Sequence, residues 1–168
     1  MFAGNQQQLF AHYNRWMNEK LYAAASQLTD ERRKADLSAF FKSIHATFEH
    51  LLMVDEVWLR RFRGETASPA SPSSGFAHPD FDLLRSLRAN RDQEIIDWAD
   101  ALSPEWLAKP YTWHSVALSR TFNLPGFAVV SQFFNHQTHH RGQITTLLKQ
   151  LGIDPGVTDI PLLPVLDA

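Results

Sequence analysis

Pro125-Gly-Phe-Ala-Val-Val-Ser-Gln-Phe-Phe-Asn135-His136-Gln-Thr-His-His140-Arg-Gly-Gln143-Ile-Thr-Thr-Leu-Leu-Lys-Gln-Leu151 reads as one long amphipathic helix. At about 100° per residue, His136 and His140 fall in one stripe with Val129, Phe133, Ile144, Leu147 and Leu151. Their directions differ by only about 40°, so the two imidazoles are neighbours on one helix surface. Thr138, Thr145 and Lys149 lie on the other side, and His139 falls at the edge of the stripe. A helix of this length with one apolar face gains its stability by burying that face against other elements. Gly152 stands where a glycine stop belongs.

Three further segments carry the same period. The first covers about residues 4–28, with Leu9, Tyr13, Trp16, Met17, Leu21, Ala24 and Leu28 at helical spacing. The second runs over about 37–63 and the third over about 80–102, where Asp80 after Pro79 can cap the start. Residues 64–79 are rich in Ser, Pro and Gly and read as a long surface loop. A helix of this size is about 35 Å long and about 16 loop residues can span it, so helices two and three can run parallel. Residues 103–124 read as a long irregular connection with a short extended piece at Tyr111-Thr-Trp113. The tail, 153–168, is apolar and proline-bearing and is expected to pack back on the body.

Composition narrows the function. The 168 residues are 44% hydrophobic and include 5 Trp and 12 Phe, enough for one domain, 1–168, with a substantial core. The formal net charge is −2, which leaves no basic excess for a phosphate backbone, so nucleic acid is not an expected partner. Arg60-Arg-Phe-Arg63 reads as a solvated helix end, where positive charge also suits the helix dipole. The chain has no cysteine, which excludes disulfides, thiolate ligands and a Cys nucleophile. Any sulfur chemistry therefore needs an external thiol. The first eight residues lack a signal-peptide pattern, and apolar runs such as Leu51-Leu-Met-Val54 are too short to span a bilayer. The cytoplasm is the default expectation, with no membrane partner.

In helix two, Lys42, Glu49, Glu56, Arg60 and Arg63 form a charged stripe that marks solvent. His45 lies beside it. His50 is about 100° away, next to Val54 and Val57, and ranks above His45 as the inward-facing residue, although off the centre of the apolar arc. His12, His78 and His114 read as surface or loop residues. Three neutral imidazoles from two helices can hold a divalent metal and leave a coordination position open, an arrangement more often reactive than structural. The plainer reading is that these are core histidines, each with its own hydrogen-bond partner. The spacing leaves both open.

Four stretches together resemble the DinB family of bacterial helical proteins: Tyr13-Asn-Arg-Trp16, His50-Leu-Leu-Met-Val-Asp55-Glu-Val-Trp58-Leu, Asn135-His136-Gln-Thr-His-His140-Arg-Gly-Gln143 and Pro155-Gly-Val-Thr-Asp-Ile-Pro161. The resemblance covers nearly the whole chain. It implies an all-α four-helix bundle of up-down-down-up type. It also implies a divalent metal held by a histidine of helix two and a pair from helix four, which places the ligands at His50, His136 and His140. Some proteins of this family use the metal to activate a small thiol such as bacillithiol, mycothiol or glutathione, many have no known activity, and several are dimers. The resemblance thus points to a homodimer acting on a small-molecule substrate.

A three-His site suits Zn or Ni, with Fe or Mn as alternatives. Two reaction classes follow: attack by an activated low-molecular-weight thiol, the favoured reading, or metal-dependent hydrolysis. A non-catalytic metal-binding or stress-response bundle is a third. Hydrolysis wants a general base, and the candidates are poor, because Glu49 and Glu56 lie on the solvent stripe and Asp55 faces the apolar arc. Arg88 and Arg91 appear on the apolar side of helix three, and an Asp55–Arg91 core ion pair is expected. Of the groups flanking the histidine pair, Gln143 is better directed than Asn135 to orient an imidazole. Gly142 is expected to allow close approach of a neighbouring helix, and Arg141 to face away toward the surface or a dimer contact. Trp16 and Trp58 read as core, or as the lining of an apolar pocket.

Overall fold

A computed structural model describes residues 4–65, 75–115 and 118–166. Among the described residues, six α-helices form in the order α1 (Gln6–Ala25), α2 (Asp30–Lys34), α3 (Ile44–Phe62), α4 (Phe81–Asp100), α5 (Pro104–Ala108) and α6 (Gly126–Gln150). One antiparallel hairpin, β1 (Pro110–Ser115) and β2 (Arg120–Pro125), lies between α5 and α6. Most of the 64–79 loop read from the sequence, residues 66–74, lies outside the described residues.

Local chemistry sets the helix ends. Asn5 and Gln8 form a reciprocal capping box at α1. Ser43 caps α3 by accepting from the Ala46 N–H, and Asp80 caps α4 by accepting from the Leu83 N–H. Gly152, at φ +81°, ends α6, and the Ile153 N–H returns to the Leu148 carbonyl. The start of α6 has no side-chain cap; its Gly126 N–H instead donates to the Lys109 carbonyl at 2.8 Å. A Cβ at Gly126 would sit 2.6 Å from the Trp106 carbonyl oxygen. That neighbour is backbone and cannot swing aside. Gly126→Ala is therefore expected to destabilise the protein by about 1 to 3 kcal/mol, read as a lower midpoint in thermal unfolding; an unchanged midpoint would mean that α5 shifts freely.

The long helices pair in a definite sense. Gln8 reaches Asp100, and Asn18 reaches Asp92, so α1 and α4 are antiparallel. Asp55 meets Arg88, and Arg63 meets Glu94, so α3 and α4 are parallel. Phe10 stacks on Phe134 and Asn14 meets Arg141, so α1 and α6 are parallel. His50 meets His140, and Phe62 meets Phe133, so α3 and α6 are antiparallel. The result is an all-α, up-down-down-up four-helix bundle. The long crossover between α3 and α4 is what allows them to run parallel.

The core is two apolar clusters. One gathers around Leu21, Phe48 and Ile144 and takes in the tail through Leu163; the other gathers around Leu59, Ile95 and Phe133. Between them runs a layer of buried polar side chains contributed by all four long helices: Asn14 and Asn18, Asp55, Arg88 and Asp92, Gln137 and Arg141. The tail packs back as expected, with the Tyr13 hydroxyl donating to the Thr158 carbonyl at 2.6 Å. Trp58 is buried and Trp16 half-buried against these clusters.

Two segments differ from the sequence reading. Residues 103–115 and 118–124 are more ordered than read: α5 is capped by Ser103, the extended piece expected at Tyr111–Trp113 is part of β1, and the hairpin pairs Trp113 with Phe122. Trp113 meets Trp58 edge-on, so an aromatic contact ties the hairpin to α3. Helix two begins at Ile44, not near 37, because residues 37–42 close a tight turn before the Ser43 cap. Among the described residues, no helix is long and apolar enough to cross a membrane.

Candidate metal centre

The antiparallel pairing of α3 and α6 brings His50, His136 and His140 together. His136 Nε2 lies 3.2 Å from His50 Nε2 and 3.1 Å from His140 Nε2. A ligating nitrogen from each of the three falls within 4.8 Å of the others. Two nitrogens each about 2.0–2.1 Å from a shared tetrahedral ion would be about 3.3 Å apart, close to the spacings found.

Hydrogen bonding alone accounts poorly for this cluster. The Gln143 carboxamide oxygen lies 2.7 Å from His140 Nδ1, which places the proton on Nδ1 and the lone pair on Nε2. His136 Nε2 must then bring a proton to His140 while facing His50 at nearly the same distance. One proton cannot serve both contacts well. A cation accepts all three lone pairs at once, so the donor set fits a divalent ion. The Gln143 amide nitrogen, in turn, faces His139 Nε2 at 3.3 Å. Gln143→Leu is expected to weaken divalent-metal affinity about 10- to 100-fold, measured by competition with a chromophoric chelator; unchanged affinity would show that His140 needs no such support.

The imidazoles are held neutral. Burial, then the neighbouring His136 and His140, pushes His50 down to about 3. Burial, then His140, pushes His136 down to about 4. Burial also lowers His140, partly offset by its bond to Gln143. The nearby Asp55 carboxylate acts against the shift at His136 and His140. Neutral imidazole is the form that binds metal.

The sequence matches the DinB family over residues 1–166. The chain belongs to the DinB family. It is 26% identical over 159 residues to Protein DinB of Bacillus subtilis (strain 168), an alignment covering 89% of this chain and 88% of that protein.

The four stretches that carry the DinB resemblance meet in space. Tyr13 anchors the tail at Thr158, Asn14 donates to Asp92 and accepts from Arg141, and Asp55 pairs with Arg88. Three of these stretches supply Asn14, Asp55, Gln137 and Arg141 to the polar layer, and Asn18, Arg88 and Asp92 complete it from outside them.

Several expectations for this DinB chain need correction. Asp55 pairs with Arg88 at 2.6 Å, not with Arg91, which faces Glu94 and Glu56. Arg141 is buried and bonds Asn14 and Thr138; it does not face solvent. Gly142 is exposed, and a Cβ there would meet nothing within 4 Å, so it mediates no close approach. His45 is fully buried, more so than His50, with Nε2 donating to the His78 carbonyl at 2.8 Å; it belongs to the packing of the 76–79 segment. Glu49 is half-buried and accepts the His78 N–H. His139 and Asn135 are exposed, and His114 sits on β1 beside Thr121.

One neighbour of the centre was not singled out from the sequence. Phe41 stacks on His50 with centroids 3.9 Å apart. The only signal was the pair Phe40-Phe41 just ahead of a Ser cap. Its turn holds Ser38 and Lys42 at φ +57° and +64°, which costs about 1 to 2 kcal/mol per non-glycine residue.

Proposed function

We propose that this DinB-family protein is a metal-dependent enzyme whose His50, His136 and His140 hold one divalent ion, Zn or Ni ahead of Fe or Mn. The observation that carries the reading is the convergence of three neutral imidazoles whose short contacts no single proton arrangement satisfies. What such an ion supplies is a lowered pKa, toward about 7 for water and below the ambient pH for a thiol. His50, His136 and His140 fill three positions and leave room for one small molecule.

Thiol-dependent transfer to a small electrophile is the favoured reaction, with the thiol brought by a low-molecular-weight cofactor because the chain has no cysteine. Hydrolysis would want a free base beside the water. The acids of α3 are engaged elsewhere: Glu49 with the His78 amide, Asp55 with Arg88, and Glu56 with Arg60 and Arg91. That engagement favours the thiol route.

The test is elemental analysis of protein purified without an affinity tag, followed by assays of thiol transfer and of ester hydrolysis before and after chelation. About one divalent ion per chain and a chelator-sensitive thiol transfer are expected. Protein that arrives metal-free and refuses added Zn or Ni overturns the centre. A loaded protein that cleaves esters and ignores thiols moves the reading to a hydrolase, and one silent in both assays to a non-catalytic bundle.

A further inference from the structure

The three-histidine cluster is walled on one side by a ring that neither α3 nor α6 supplies. The Phe41 ring lies nearly parallel to His50, at 25° and 3.9 Å, and tilts over His140 at 5.3 Å. The turn that delivers it is closely tied. The Leu37 N–H donates to the Lys42 carbonyl and the Lys42 N–H to the Ala39 carbonyl, both at 2.8 Å, and the Ser43 N–H donates to the Phe41 carbonyl at 2.7 Å.

The turn is an expensive way into a helix that Ser43 already caps. Ser38 and Lys42 adopt left-handed backbone, which favours glycine. Phe40 is left 82% exposed, edge-on to Phe41 at 4.8 Å. Leu37 and Ala39 of the same turn pack against the apolar core, but Phe41 joins neither cluster. Its ring is committed to the imidazoles. Strained backbone held by surrounding hydrogen bonds beside a reactive cluster is a signature of a functional device.

We propose that Phe41 is the specificity-determining residue of this centre. Its ring forms a fixed apolar wall beside the position that His50, His136 and His140 leave open. A ring already in van der Waals contact with His50 leaves no gap for a ligand between them, so an incoming molecule passes alongside it. A slender thiol fits. A thiol branched at the carbon bearing sulfur meets the wall. The proposal rests on the metal-centre reading above, and the experiment separates the two.

The experiment loads wild type, Phe41→Ala and Phe41→Leu with saturating Co(II) and titrates each with 2-mercaptoethanol and with 2-methylpropane-2-thiol. Binding is read from the thiolate-to-cobalt charge-transfer band, which needs no catalytic assay. Wild type is expected to prefer the slender thiol. Phe41→Ala is expected to raise affinity for the branched thiol by about tenfold or more while moving the slender one little, with Phe41→Leu in between. A selectivity ratio unchanged in both variants overturns the proposal. So does cobalt loss from both variants, which would make Phe41 a prop for His50, or a cobalt-loaded wild type that takes neither thiol. Wild type that binds no cobalt overturns the metal centre itself, and the wall with it.

Discussion

Replacing His136 and His140 together by alanine is expected to abolish divalent-metal binding, from about one ion per chain to background in elemental analysis. Both imidazoles point their Nε2 atoms at a common spot, and His140 is fixed in the metal-ready tautomer by Gln143. His50 alone would remain, half-buried beside Phe41. A single imidazole cannot retain an ion against water at micromolar protein. Stability gives a second reading of the same loss. Saturating a site that exists only in the folded state stabilises by about 4 kcal/mol when free metal is 1,000-fold above Kd, so wild type should melt higher as Zn or Ni is added and the double variant should not. The metal-free variant should fold, because the two apolar clusters keep every member when His136 and His140 are replaced. Retained stoichiometric metal in the double variant, or an equal metal-dependent rise in its melting point, would defeat the three-histidine assignment.

The sequence was most legible on the face of α6 that carries the histidine pair. His136 and His140 share the stripe of Phe133 and Ile144, that stripe faces α3, and the pair ends beside His50. Asp80, Gly152 and Gln143 were readable because caps, stops and i+3 contacts depend on residues a turn away. The failures share another cause. A helical wheel gives direction but not what waits there. Arg141 points away from the histidines, yet α6 also packs on α1, so that direction leads to Asn14 rather than to water. His45 sits beside a charged stripe, but residues 76–79 fold over it. Arg88 and Arg91 are close in direction, and only the height at which parallel α3 and α4 meet selects Arg88 for Asp55. The turn carrying Phe41 was unreadable for another reason: left-handed Ser38 and Lys42 follow no residue preference, and the backbone bonds that close residues 37–43 leave no periodic signal in the sequence.

Arg88→Met is expected to destabilise the protein by about 3 to 5 kcal/mol, because it strips one cation from between two buried carboxylates. Arg88 is 2% exposed, and its guanidinium meets Asp55 at 2.6 Å and Asp92 at 3.0 Å, both 1% exposed. Burial alone would lower the Arg88 pKa, but the two carboxylates outweigh it and hold the group firmly charged. Burial already raises Asp92 above the usual carboxylate range, against the pull of Arg88 and the amide of Asn18. Without Arg88, Asp92 keeps its bonds from Asn14 and Asn18, whereas Asp55 has no other side-chain partner among the described residues and one of its oxygens is already unbonded. A loss of this size is a large share of the roughly 5 to 15 kcal/mol that holds a typical domain folded. Urea unfolding of wild type, Arg88→Met, and Arg88→Met combined with Asp55→Asn and Asp92→Asn separates the causes. The triple variant should recover part of the loss: Asp55 and Asp92 no longer bury unpaired charge, while buried Arg141 of the same layer loses their attraction. If Arg88→Met shifts stability by less than about 1 kcal/mol, the range of a solvent-screened pair, then water reaches these carboxylates and the layer beneath the histidines is not sealed from solvent.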